Sequence, residues 1–117
     1  MMVVEDDAAL AALFCDVLID MGFEVCAVAS TARGAETAAL RYQPDLMIVD
    51  AQLREGDGVA AVNEIRLVRP VAYVVMTGNP AALYGLEPGA LVLHKPFSET
   101  ELAKAIALAV AKSAPGH

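Results

Sequence analysis

Short apolar runs alternate with longer segments of helical periodicity along the chain, and this alternation limits the folds it can adopt. Runs rich in Val, Ile and Leu occur at residues 2–4, 23–28, 45–49, 71–76 and 90–93. Strands that alternate with helical patterns predict repeated βα units and a parallel sheet. Both faces of such a sheet are covered by helices, which agrees with the 57% of hydrophobic residues.

The intervening segments predict helices at residues 7–21, from Ser30 or Thr31 to residue 42, and at 58–68. The inward-facing residues expected for the first helix are Leu10, Leu13, Phe14, Val17 and Leu18. A capping box begins the last helix, which continues until Ala114 and Pro115. Residues 80–86 allow only a short helix. The expected fold is α/β: a flavodoxin-like, doubly wound, five-stranded parallel sheet in the order 2-1-3-4-5 with a shortened fourth helix.

Length and charge exclude several classes of protein. A chain of 117 residues predicts one domain that spans residues 1–117. A net charge of −7 disfavours direct nucleic-acid binding. No apolar run reaches the roughly 18 residues of a membrane span and no signal peptide is evident, so we expect a cytoplasmic protein. Cys15 and Cys26 are expected to be buried, reduced thiols.

Polar residues stand where the predicted strands end. Glu5 and Asp6 follow the first strand, Asp50 the third, Thr77 the fourth and Lys95 the fifth. In an open parallel sheet, ligands bind beyond the carboxyl ends of the strands where the strand order reverses. In the expected order the three carboxylates therefore share one pocket. They would raise one another's pKa unless a cation intervened, and their hard oxygens favour Mg²⁺, with Mn²⁺ as an alternative.

A metal ion, an ammonium group and a hydroxyl around a carboxylate suit phosphoryl transfer, in which the protein mainly positions and stabilises charge. Asp50 would be the nucleophile and would form an acyl phosphate. Singly, these residues have simpler explanations. Asp6 or Asp7 could cap the first helix, and Thr77 could serve in a turn. Lys95 could be merely solvated, and Asp57 is expected to form a turn and helix entry.

Four motifs together resemble the receiver domains of bacterial response regulators, over essentially the whole chain. They are VVEDD at residues 3–7, DLMIVD at 45–50, VVMTG at 74–78 and KPF at 95–97. The resemblance implies that Asp50 is the phosphoacceptor and that Glu5, Asp6 and Asp50 hold Mg²⁺. It also implies that the backbone carbonyl of Gln52 contacts the metal.

The same resemblance implies that Thr77 and Lys95 contact the phosphoryl group and that the peptide bond before Pro96 is cis. Thr77 would move toward the phosphoryl group on activation. The chain departs from the family at Val92, where a switch Tyr or Phe is common, and at Arg54, where a proline is common. An aromatic side chain therefore cannot report phosphorylation at position 92.

The function implied is that of a receiver switched by a sensor histidine kinase or histidine phosphotransfer protein, acting on an unknown downstream protein. We expect no enzyme activity beyond its own phosphorylation and dephosphorylation, and no output domain within residues 1–117. Val92 and the short crossover leave open a phosphate-independent pseudo-receiver. A magnesium-dependent phosphohydrolase of the haloacid-dehalogenase type would need a second acid at the position of Gln52.

Overall fold

Five parallel strands form one sheet in the order β2-β1-β3-β4-β5, which confirms the predicted topology. The computed structural model describes residues 1–113. The strands are β1 Met2–Val4, β2 Ala27–Ala29, β3 Leu46–Asp50, β4 Ala72–Thr77 and β5 Leu91–His94. Every residue of β1, β3 and β4 is buried. The sheet is therefore the centre of the molecule, and its carboxyl edge is the place where polar groups gather.

Within residues 1–113, four helices and one 3-10 turn cover the sheet. The helices are α1 Ala8–Asp20, α2 Ala32–Tyr42, α3 Gly58–Val68 and α4 Glu99–Ser113. One face of the sheet packs against α1 and α4. The other face packs against α2, α3 and the segment that joins β4 to β5. That segment contains a single 3-10 turn, Pro80–Leu83, where the sequence predicted an abbreviated crossover.

The helix starts follow from local side-chain hydrogen bonds. Asp7, Thr31 and Asp57 each accept a bond from a backbone N–H in the first turn of α1, α2 and α3. Ser98 and Glu101 form the predicted capping box, with both reciprocal bonds at 3.1 Å. Asp57 thus serves the helix entry expected of it, and Asp7 rather than Asp6 caps α1.

The second strand is shorter than predicted. The sequence indicated residues 23–28, but β2 begins at Ala27, which pairs with Met2. Its only strand neighbour is β1, whose first residue is Met2, so little of the earlier segment has a partner for a ladder. Phe23 and Val25 instead pack against the core beneath α1 and α4.

Two burial predictions were wrong. Leu13 was expected to face inward but is 55% exposed, and α1 buries Ala11 and Leu18 instead. Apolar residues occupy most sides of α1, so their spacing does not select one face. Cys26 was expected to be buried but is exposed, while Cys15 is half-buried; both are free thiols. Cys26 lies just before β2, at the edge of the sheet.

The last helix is described up to Ser113, so the predicted stop at Ala114 and Pro115 lies outside the described residues. Within residues 1–113, no helix combines the length and the apolar character that crossing a membrane requires.

The carboxylate of Glu87 ties the β4–β5 segment to three neighbouring elements. It accepts a 2.6 Å hydrogen bond from the Tyr73 hydroxyl on β4. Arg66 on α3 lies 3.1 Å away from it, and Lys112 on α4 lies 3.6 Å away. Lys112 also donates to the carbonyl of Gly89 at 3.0 Å. These contacts hold the segment against the sheet without a full helix in this crossover.

Replacing Glu87 with glutamine is expected to lower the free energy of unfolding at pH 7 by about 1 kcal/mol, a value reduced for partial solvent exposure. The hydrogen bond from Tyr73 and the charges of Arg66 and Lys112 lower the pKa of Glu87 below its ordinary value of 4.5. The carboxylate therefore stabilises the fold above that value, and its contribution is lost as the pH falls through the lowered pKa. Urea unfolding at several pH values measures this.

Glu64→Gln is the matched control, because Glu64 is an exposed carboxylate on α3. It should leave stability unchanged within about 0.5 kcal/mol. Tyr73→Phe combined with Glu87→Gln should cost less than the sum of the single variants, because the two residues share one hydrogen bond. Additive losses that persist unchanged at low pH would contradict the role of the Glu87 charge.

Candidate functional site

Three carboxylates meet at the carboxyl edge of the sheet. β1 and β3 are neighbours with Val4 opposite Val49, so Glu5, Asp6 and Asp50 leave the sheet side by side. One oxygen from each of the three lies within 4.8 Å of the others. Glu5 is only 2% exposed and Asp50 only 5%. The carboxylates expected to share a pocket do so.

Lys95 provides the cation of this cluster. It follows β5, and its ammonium lies 2.7 Å from Asp50 Oδ2 and 3.4 Å from Glu5 Oε1. Partial burial alone would lower the pKa of Lys95, but the hydrogen bond and the charge of Asp50, together with Glu5, outweigh it and raise the pKa. Lys95 is thus an ammonium group in contact with the predicted nucleophile, rather than a freely solvated side chain.

The electrostatics of Glu5 indicate a shortage of positive charge. Burial and the nearby charge of Asp50 raise the pKa of Glu5, and the attraction of Lys95 offsets this only in part. Three carboxylates thus share the one ammonium that lies in contact with Glu5 and Asp50. Their oxygens are hard ligands of the kind that Mg²⁺ prefers, so the donor set fits a divalent cation. The residues that would hold it are Glu5, Asp6 and Asp50.

The two oxygens of Asp50 have different neighbours. Oδ2 accepts the bond from Lys95, and Oδ1 accepts a 2.9 Å bond from the backbone N–H of Gln52. The side chain of Gln52 is exposed, which is compatible with a role through its backbone. The carboxylate of Asp50 is thus fixed in orientation at the end of a buried strand, with the short β3–α3 loop folded back over it.

Asp6 is held by the β3–α3 loop. Its Oδ2 accepts a 2.7 Å hydrogen bond from the backbone N–H of Arg54, and the Arg54 Nε lies 3.9 Å from the same oxygen. The backbone bond is the main cause that lowers the pKa of Asp6. Sequence patterns assigned Arg54 no role at the site. The resemblance marked Arg54 only as a departure from an expected proline, and proline has no backbone N–H to donate.

Thr77 lies at the carboxyl end of β4, buried, but its hydroxyl does not bond to the acidic cluster. It donates to the carbonyl of Asn79 at 2.7 Å and accepts from the Asn79 N–H at 2.9 Å. Asn79 also caps the 3-10 turn through its side chain. In this conformation Thr77 is a turn residue, which was the simpler explanation of it.

The remaining predicted positions lie on or beside β5. Val92 pairs with Val75 of β4 and is half-buried. The peptide bond between Lys95 and Pro96 is cis, the geometry that the resemblance implies.

Comparison with known proteins agrees with this geometry. A family model of the response regulator receiver domain matches residues 1–107. This chain belongs to that family. It is therefore a receiver of two-component signalling, and receivers generally bind Mg²⁺ at an acidic cluster like the one formed here by Glu5, Asp6 and Asp50.

Individual relatives include the transcriptional regulatory protein PdtaR of Mycobacterium tuberculosis, 31% identical over 115 residues, which cover 95% of this chain and 56% of PdtaR. The chemotaxis protein CheY of Bacillus subtilis is 28% identical over 110 residues, covering 90% of this chain and 92% of CheY. The crystal structure of the anti-anti-sigma factor PhyR from Bartonella quintana superposes with a TM-score of 0.82 at 25% identity, covering 95% of this receiver and 46% of PhyR. The receiver spans about half the length of PdtaR and PhyR.

Proposed function

We propose that this receiver accepts a phosphoryl group on Asp50 in a Mg²⁺-dependent reaction, and that phosphorylation changes which protein it binds. One observation carries the proposal. Asp50 is a buried carboxylate whose Oδ2 lies 2.7 Å from the Lys95 ammonium, within a cluster of three carboxylates. Burial, a fixed ammonium and a cation-binding donor set are the requirements of phosphoryl transfer to a carboxylate.

The donor we propose is a phosphohistidine of a sensor histidine kinase or of a histidine phosphotransfer protein. An oxygen of Asp50 attacks phosphorus and forms the O–P bond of an acyl phosphate. The P–N bond to the donor imidazole breaks, and the ring nitrogen keeps the electron pair and takes up a proton. Lys95 and the backbone N–H of Gln52 orient Asp50 for this attack, and Lys95 remains beside the added charge.

Glu5, Asp6 and Asp50 would hold Mg²⁺, with the backbone carbonyl of Gln52 as a further ligand, and Mn²⁺ would substitute. When bound, the ion neutralises the negative charge that gathers on the phosphoryl oxygens. Lys95 would share this task, because its ammonium already lies beside Asp50.

Signalling would proceed through the β4–β5 segment. Phosphorylation adds a charge of about −1.5 to −2 and several strong acceptor oxygens next to the end of β4. The Thr77 hydroxyl would leave Asn79 for the phosphoryl group, which would also disturb the turn that Asn79 caps. A partner that binds only one arrangement of this segment would increase the population of that arrangement.

The partners and setting we propose are those of a cytoplasmic signalling protein. Output goes through contact with a downstream protein rather than direct binding to nucleic acid, in keeping with the net charge of −7. No turnover of other substrates is expected beyond the receiver's own phosphorylation and dephosphorylation. The relative PdtaR is a transcriptional regulatory protein and the structural neighbour PhyR is an anti-anti-sigma factor. Output through protein contact is compatible with both roles.

Incubation with a small phosphodonor such as phosphoramidate tests the metal dependence without the cognate kinase. Intact mass should show one added phosphate in Mg²⁺ or Mn²⁺, and none after chelation with EDTA. Loss on chelation follows because the carboxylate cluster otherwise repels the anionic donor. Equal phosphate uptake with and without the divalent ion would contradict the proposal.

A phosphate-independent pseudo-receiver is the competing function. It is favoured by Val92 at the position of the switch aromatic and by the commitment of the Thr77 hydroxyl to Asn79. No phosphate addition under any metal condition would favour it over phosphorylation of Asp50. A phosphohydrolase is opposed by Gln52, which stands where a second acid is needed, and sustained turnover of p-nitrophenyl phosphate would revive it.

A further inference from the structure

Large apolar side chains are exposed where α2 and α3 end. Three of the four most exposed large apolar side chains among residues 1–113 lie there: Leu67 at 80%, Val68 at 66% and Leu40 at 62%. Leu40 and Val68 line one groove of about 120 Å³ between the two helices, together with the buried side chains of Ala39 and Ile65. Contiguous exposed apolar surface of this kind commonly marks a contact with another protein.

The rim of the groove carries opposite charges at its two ends. In each βα unit the helix starts near the carboxyl edge of the sheet, so later residues of α2 and α3 lie farther from that edge. Glu36 and Glu64 therefore lie at the end nearer the edge, and Arg69, the residue after α3, lies at the other end. Arg41 adds a second positive charge in the last turn of α2.

These charged groups have no oppositely charged partner within the described part of the chain. None of the ion pairs among residues 1–113 involves Glu36, Glu64, Arg41 or Arg69. One guanidinium N–H of Arg69 donates to the carbonyl of Pro44 at 3.4 Å. A guanidinium has several N–H donors, so Arg69 can still bind a carboxylate from outside.

We propose that two copies of this chain associate through this groove. A two-fold axis that crosses the groove turns each helix antiparallel to its copy, so the acidic end of one groove meets the basic end of the other. Glu64 of each copy would then face Arg69 of the other, with apolar side chains in contact at the centre. This self-complementarity favours a second copy over a partner of a single charge sign. The residues involved, which we call the α2–α3 patch, are Glu36, Leu40, Glu64, Leu67, Val68 and Arg69.

The overall charge of the chain limits the strength of this association. A net charge of −7 makes two copies repel one another, although salt at about 0.15 M screens this repulsion beyond about 8 Å. The α2–α3 patch is also small, so we expect a weak pair with a dissociation constant on the order of 100 µM. At about 5 µM, a concentration suited to urea unfolding, the chain is then a monomer.

Sedimentation equilibrium in about 0.15 M salt, from about 10 µM to about 1 mM protein, measures the association. The apparent mass of the wild type should rise from the monomer value of 12.2 kDa toward twice that value. Leu40→Gln combined with Leu67→Gln removes apolar surface from the centre of the patch and should raise the dissociation constant about tenfold. The matched control, Leu13→Gln with Leu108→Gln, replaces two exposed leucines on α1 and α4 across the sheet and should change it less than about twofold.

Charge reversal tests the two-fold arrangement. Glu64→Lys and Arg69→Glu should each raise the dissociation constant at least about tenfold, because each places like charges opposite one another twice in the pair. An equimolar mixture of the two variants should associate to within about threefold of the wild type, since the mixed pair restores both opposite-charge contacts. Asp16→Lys and Lys104→Glu make the same changes in net charge on α1 and α4, and each should stay within about twofold of the wild type.

A wild type that stays monomeric at about 1 mM would overturn the proposal, as would undiminished association of the variant with glutamine at positions 40 and 67. A mixture of the two charge-reversed variants that stays monomeric would overturn the two-fold arrangement. Circular dichroism checks the fold of each variant. The α2–α3 patch lies in the later turns of α2 and α3, away from the edge that carries Asp50, so this inference does not depend on the proposed phosphorylation.

Discussion

Replacing Asp50 with asparagine is expected to abolish the uptake of phosphate from a small phosphodonor. The amide has no anionic oxygen to attack phosphorus, whereas its one carbonyl oxygen can still accept one of the two bonds that Gln52 and Lys95 donate to the carboxylate. The fold should persist, since the substitution removes one charge from a buried group of carboxylates and keeps the side chain's shape. Intact mass after incubation with phosphoramidate and Mg²⁺ measures the result.

Asp45→Asn is the matched control, because Asp45 lies exposed just before the same strand. It should take up one phosphate at the wild-type rate. Undiminished labelling of Asp50→Asn would show that another residue is the acceptor. Loss of labelling in both variants would point to a general effect on the fold, which circular dichroism would reveal.

Alanine at position 58 is expected to lower the free energy of unfolding by about 3 kcal/mol. A methyl group on Gly58 would overlap the carbonyl oxygen of Asp50 and lie 2.8 Å from its carbonyl carbon and 3.1 Å from the Cα of Ala51. These are backbone atoms that belong to β3 and its exit, so they cannot rotate away as a side chain would. The start of α3 must shift, or the end of β3 must.

Urea unfolding of Gly58→Ala measures the loss, with Gly78→Ala as control. A Cβ at Gly78 meets no atom within 4 Å, so its stability should stay within about 0.5 kcal/mol of wild type. Because a Cβ at position 58 would push against the backbone of Asp50, Gly58→Ala should also accept phosphate more slowly. Wild-type stability in Gly58→Ala would contradict the close approach of α3 to the end of β3.

The sheet and its acidic edge were predictable because they depend on local patterns. Short apolar runs indicated the strands, and the residue after each run had to lie at the carboxyl edge whatever the details of packing. The Lys95 ammonium lies 2.7 Å from Asp50 although the two residues are 45 positions apart, because the parallel strands β3 and β5 end at the same edge of the sheet. The short crossover after β4 was likewise visible as a segment too brief for a full helix.

Contacts between loops were not predictable from such patterns. The bond from Arg54 to Asp6 joins two irregular segments, and the bond from Tyr73 to Glu87 joins a strand to a turn. The irregular segments that contain Asp6, Arg54 and Glu87 have no periodicity from which the direction of their polar groups could be predicted. The same limit applies to α1, where apolar residues on most sides concealed that Leu13 faces solvent. The rotamer of Thr77, bonded to Asn79, also depends on a local turn that strand patterns do not encode.

Chemical mapping of the phosphorylated residue tests the central claim most directly. Borohydride reduces an acyl phosphate on an aspartate to the alcohol of homoserine, and trypsin should release residues 42–54, which contain both Asp45 and Asp50, as one peptide. Fragmentation should place homoserine at position 50, with aspartate retained at position 45, only in samples treated with phosphodonor and Mg²⁺. Homoserine at another aspartate, or an unreduced peptide from a chain that carries phosphate, would contradict the assignment of Asp50 as the acceptor.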